Sequence, residues 1–211
     1  MTGVSAPERG RVVRRGLGLT YATAVYNSLE GLIAIGAGLA AGSVALVGFG
    51  VDSAIELAAS GAAIWRLHAD LEPERRGPSE RRTLRLVGVS FLALAVYVAA
   101  DAARTLIARE PPRESPVGIA LAAVSLVVMP SLARAKRRVA AALGSAALAA
   151  ESQQTRLCTY LSAILLGGLL LNASAGWWWA DPLAALGMVP LIGHEGIEAL
   201  SGRGACGDHC A

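Results

Sequence analysis

Carboxylates interrupt the long apolar runs of this 211-residue chain at Glu30, Asp52, Glu56, Asp101 and Glu151. A charge at bilayer depth costs at least about 2.5–3.5 kcal/mol, so each must face a protein interior, pair, stay protonated or hold a cation. Asp52 and Glu56 are four apart, which on a helix places both on one face about a turn from each other. Two ionised carboxylates that close repel unless a positive charge lies between them, the arrangement of a divalent-cation or proton site. Glu30 shares its face with Asn27 at i−3, and Glu151 shares its own with Gln154 and Thr155 at i+3 and i+4. These donors are oxygens, which suit Mn²⁺ and other hard ions, although Zn²⁺ and Cd²⁺ also accept carboxylates.

Other polar positions have plainer readings. Arg104 follows Asp101 by three residues, the spacing of a structural ion pair within one helix. Asp181 precedes Pro182, as an N-cap with proline in the first turn does. Glu195 and Glu198 fall near the end of the last apolar run and are expected to be solvated, with His194 near the same end as the tail; His68 reads as interfacial, and Cys158 as a small packing residue. The tail holds Cys206, Asp208, His209 and Cys210, either a grip for a soft metal or incidental residues of a disordered terminus.

The elements that must position these groups follow from composition. With 54% hydrophobic residues, 17% charged and a mean hydropathy of +0.50, the chain is too apolar for an ordinary soluble domain. A bilayer-crossing helix takes about 20 apolar residues. Six apolar segments of that order are present, at 17–40, 43–65, 86–108, 116–132, 140–171 and 177–200, the fifth interrupted by a polar stretch at 151–156. The expected fold is an all-α, six-transmembrane-helix bundle over 17–200. A basic N-terminal segment, 1–16, precedes it and a Cys/His tail, 201–211, follows. Disorder, a disulfide scaffold and a large extramembrane domain are disfavoured.

Most of the 19 basic residues cluster before the first segment, at 66–85 and at 134–156, all on one side of a six-span bundle. Arg134, Lys136, Arg137 and Arg138 read as a basic stop to the fourth span. The positive-inside asymmetry predicts that both termini are cytoplasmic, in a multi-pass protein of the cell membrane. Trp177, Trp178 and Trp179 fit an aromatic anchor at the opposite interface. The basic clusters flank spans, which argues against nucleic acid as partner, and no hydrolase or zincin motif suggests an enzyme.

Two stretches resemble the cation diffusion facilitator family: Gly42-Ser43-Val44-Ala45-Leu46 followed by Val51-Asp52-Ser53-Ala54-Ile55-Glu56, and Asp181-Pro182-Leu183-Ala184-Ala185-Leu186. The resemblance spans residues 17–200. It implies efflux of a divalent cation in exchange for protons, usually by a homodimer; zinc is the expected cargo, with manganese, iron, cobalt or cadmium as alternatives. It implies that Asp52 and Glu56 form the second-helix half of the transport site. Glu151 and Thr155 fall where the fifth-helix half belongs but depart from the His or Asp followed by Asp that is common there. Glu30 is a further carboxylate from the first helix. The family's cytoplasmic ferredoxin-like domain has no counterpart here beyond the Cys/His tail. The competing expectation is a non-transporting membrane protein that binds metal or a partner through that tail.

Overall fold

A computed structural model describes residues 6–71, 79–109 and 112–201. Among these, six helices follow one another: α1 (Ala6–Ala41), α2 (Val44–Leu71), α3 (Ser79–Ala108), α4 (Pro116–Leu143), α5 (Ala146–Ala175) and α6 (Ala180–Ser201). Helices α1, α2, α4 and α5 pack into an inner bundle, and α3 pairs with α6 along its α2–α5 side. Helices α1 to α5 each contain a stretch long and apolar enough to cross a membrane. Leu32, Leu39, Val96, Ile107 and Val127 are exposed on the outside of the bundle. That surface is what acyl chains would cover; inside, large apolar side chains such as Phe49, Phe91 and Met129 are buried together with small and polar ones.

Helix contacts this close need small residues. A Cβ on Gly38 would lie 2.8 Å from the Val47 backbone nitrogen, and one on Gly50 would lie 2.9 Å from that of Ile35. The α1–α2 hairpin is therefore held backbone to backbone, with Gly42 turning it at φ +69°. The substitution Gly38→Leu should separate the two helices and lower stability by about 1–3 kcal/mol, read as a fall in the thermal midpoint in detergent.

Several elements differ from the sequence reading, each for a local reason. The fourth helix does not stop at the basic cluster. It runs on to Leu143, where Gly144 in the left-handed conformation (φ 62°) closes it, and Ser145 caps α5 by accepting from the Leu148 nitrogen. The apolar stretch 140–171 is thus two helices divided at a Gly-Ser pair. Helix α1 starts at Ala6, well inside the basic N-terminal segment, because Val13 is buried with Val139, Ala140, Leu143 and Leu148 in a small second core. Helices α2 and α3 likewise extend into the polar stretch 66–85.

Asp181 does not cap its own helix. It is fully buried one residue inside α6 and reaches across to α2, where Ser43 Oγ donates to Oδ1 at 2.5 Å and the Ala45 nitrogen to Oδ2 at 3.4 Å. Ser43 in turn accepts from the Leu46 nitrogen at 3.1 Å. The start of α6 therefore satisfies the open donors at the start of α2. Replacing Asp181 with Ala should cost about 1–3 kcal/mol, since it strands a buried hydroxyl and an amide. Equilibrium unfolding in mixed micelles measures it. Trp177 and Trp179 stack at 5.0 Å in the turn just before α6, half-exposed at the same end of the bundle.

Candidate metal centre

The four inner helices enclose a column of polar side chains in an otherwise apolar core. One buried stripe of α1 carries Thr20, Thr23, Asn27 and Glu30, spaced three or four residues apart so that they line a single face. Opposite it α2 presents Ser53, Glu56 and Ser60, α5 presents Glu151, Thr155 and Cys158, and α4 presents Ser125 and Lys136. All are buried. The column has three levels.

At the Glu30 level a carboxylate is fully caged. Ser53 Oγ donates to Oε2 at 2.8 Å, the Cys158 thiol lies 3.8 Å from the same oxygen, and Ser125 Oγ donates to Oε1. The Tyr26 hydroxyl, 2.7 Å from Ser125 Oγ, completes the chain. Cys158 is thus a packing residue of the core and also a neighbour of Glu30.

At the Glu56 level Thr155 Oγ1 donates to Glu56 Oε1 at 2.6 Å, which joins α2 to α5 through the two positions that the family resemblance pairs. The other oxygen, Glu56 Oε2, has no hydrogen-bond partner, and neither has the Asn27 side-chain amide. Asn27 comes level with Glu56. The α1–α2 contact runs antiparallel, Gly38 against Val47 and Gly31 against Ser53, and one further turn brings position 27 opposite 56. Buried polar atoms are almost always paired, so these three orphan atoms at one depth stand out. Asp52, 3% exposed, lies a turn from Glu56 and within electrostatic range of Glu56, Glu30 and Glu195. Glu195, expected to be solvated, is partly buried on α6.

At the Glu151 level the expectation fails most clearly. Lys136, read from the sequence as part of a basic stop, is fully buried, while Arg134, Arg137 and Arg138 around it are exposed. Its ammonium donates to Glu151 Oε1 at 2.8 Å and to Thr155 Oγ1 at 3.0 Å. Ser60 Oγ adds a bond to Glu151 Oε1 at 2.9 Å, and Thr20 Oγ1 one to Oε2 at 3.2 Å. Both Glu151 oxygens are thereby paired, whereas one oxygen of Glu56 is not. Among the described residues no three carboxylate, thiol or imidazole groups converge closely enough to share one ion.

The remaining expected positions fall outside the column. Asp101 has the Tyr97 hydroxyl at 3.5 Å as its partner, and the Asp101–Arg104 ion pair is not formed among the described side chains. His68 is exposed, edge-on to Tyr21, and His194 lies 3.9 Å from Glu198. The tail positions Cys206, Asp208, His209 and Cys210 lie outside the described residues.

A helical bundle with buried carboxylates between its inner helices is the architecture of a polytopic membrane transporter, in which intramembrane ionisable groups mark the ion path. The particular family follows from comparison: residues 20–201 match the cation efflux transmembrane domain, and the chain belongs to that family. It is 30% identical over 160 residues to an uncharacterized transporter of Synechocystis, covering 73% of this chain and 52% of that protein. It is also 30% identical over 88 residues to the cation-efflux pump FieF of Shewanella oneidensis, covering 42% of this chain and 29% of the pump. The chain thus spans about half the length of the first relative and less of the second.

Proposed function

We propose that this chain moves a divalent transition-metal cation out of the cytoplasm, loading it between α2 and α5. The observation that carries the reading is the unpaired Glu56 Oε2, buried beside Asp52 and level with the orphaned amide of Asn27. Asp52 and Glu56 are the primary ligands. Thr155 and Asn27 supply neutral oxygens, Glu151 supplies a further carboxylate ligand, and Glu30 supplies flanking negative charge. Carboxylate and amide oxygens leave the choice among zinc, manganese, iron, cobalt, nickel and cadmium to geometry and cytoplasmic supply. Protons that compete for the same carboxylates release the cation on the far side when the bundle rocks, which makes the exchange a proton antiport.

The exposed Arg134, Arg137 and Arg138 at the end of α4 support cytoplasmic placement of the α4–α5 turn, and with it of both termini. Lys136, being buried, does not enter that comparison. In this reading residues 17–200 are the transport unit of a homodimer in the cell membrane, where the Gly- and Ala-rich faces permit close packing between copies. The test is counterflow in proteoliposomes with a fluorescent metal indicator inside. An imposed pH gradient should drive metal across the bilayer in the presence of protein, and collapse of the gradient with a protonophore should stop it. Flux no greater than in empty liposomes for each of these metals would reject the proposal.

A further inference from the structure

Lys136 is the only lysine in the chain, the other basic residues being arginine, and it is fully buried. An ammonium asks for what a hard divalent cation asks for: several oxygen donors, preferably anionic, at short range. Lys136 Nζ has taken two such donors, Glu151 Oε1 and Thr155 Oγ1, and through Thr155 it is one hydrogen bond from Glu56 Oε1. The α5 half of the site therefore already holds a cation, while the α2 half keeps an open carboxylate oxygen.

We infer that Lys136 is a tethered competitor of the transported cation, a positioning residue that must withdraw its ammonium from Glu151 and Thr155 before those two can serve as ligands. The inference rests on the reading of this column as a cation site. A structural ion pair alone would account for the 2.8 Å contact with Glu151. It would also accommodate the second bond, since an ammonium has three donors to satisfy; what sets this pair apart is that its second acceptor, Thr155, is the hydroxyl that bridges to Glu56. Two positive charges a few ångströms apart in a poorly screened core repel each other, so the tethered ammonium weakens cargo binding and eases its release. It also penalises any second cation in the column. The device acts through the position and charge of the ammonium.

The experiment measures Co²⁺ binding to the purified full-length chain in nanodiscs, by calorimetry and by the visible absorption of bound cobalt. Four proteins are compared: wild type, Lys136→Met, Glu151→Gln and the double variant. Lys136→Met should bind Co²⁺ about tenfold or more tightly than wild type, with a stronger visible band as Glu151 and Thr155 enter the coordination shell. Glu151→Gln should weaken binding, because the ammonium then turns on Glu56. The double variant should bind more tightly than Glu151→Gln alone, and this pair carries the comparison if the unpaired Glu151 of Lys136→Met prevents folding. A Lys136→Met affinity equal to or below wild type, or a double variant as weak as Glu151→Gln, would overturn the competitor role and leave the cation site standing. Absence of Co²⁺ binding in all four would overturn the cation site and the inference together.

Discussion

Asp52→Asn and Glu56→Gln should each reduce divalent-cation flux to the level of empty liposomes, with affinity lower by on the order of 100-fold or more. Both substitutions keep the size of the side chain and remove one negative charge. A carboxylate in contact with a divalent ion contributes more than any neutral donor at the same distance, and burial leaves little water to screen the loss. The two differ in what else they disturb. Gln at 56 can still accept from Thr155 through its carbonyl, so the α2–α5 bridge survives. Asn at 52 breaks no hydrogen bond among the described residues. Relief of the repulsion between neighbouring carboxylates should leave both variants at least as stable as wild type. Flux assays at metal concentrations well below wild-type half-saturation, beside melting curves of the same preparations, separate loss of the site from loss of the fold. Either variant transporting at more than about a tenth of the wild-type rate would remove that residue from the primary ligand set, since a lost ligand charge is expected to cost more than tenfold.

The bundle was legible because bilayer-length apolar runs admit few alternatives, and the Asp52–Glu56 pair because the period of a helix converts a spacing of four into a shared face. Lys136 was not legible as a site residue. A lysine among three arginines has the composition of a membrane stop, and composition carries no information on which way one side chain points. Periodicity does carry it. The buried positions of α4 include Ser125, Met129, Ala133, Lys136 and Ala140, a three-and-four rhythm on which Lys136 falls and its arginine neighbours do not. The break between α4 and α5 was equally present in the sequence as Gly144-Ser145, a left-handed closing residue followed by a capping hydroxyl, and was hidden by the apolar residues on both sides. Asp181 failed for a different reason. An Asp-Pro pair at a helix start is locally a capping signal, and nothing local reveals that the open donors it serves belong to α2. Asn27 shows the reverse case: on Glu30's face and unremarkable by type, it stands out only once burial and lack of partners are known.

The largest stability effect should come from Glu151→Ala, which leaves the Lys136 ammonium buried with one hydroxyl as its remaining partner. Removing one member of a buried ion pair typically costs about 3–5 kcal/mol, because the survivor keeps its desolvation penalty and loses its compensation. Here Ser60 and Thr20 lose their acceptor as well, and each hydroxyl must turn elsewhere. Ser60 and Thr20 differ in what remains to them: Thr20 also reaches the Gly16 carbonyl at 3.1 Å, so its loss is partly made good within α1. Replacing both charges at once, as Lys136→Met with Glu151→Gln, should recover most of that cost, because the amide oxygen still accepts from one hydroxyl, the other can turn to accept from the amide NH2, and no charge is left unpaired. A structural ion pair and a displaceable one predict the same ordering of these stabilities, which is why melting in detergent tests the pair and cobalt binding tests its role. A Glu151→Ala protein that melts within about 1 kcal/mol of wild type would show that the ammonium finds other partners at no cost. The contact that closes the α5 half of the site would then be a weak one, readily opened by any arriving cation.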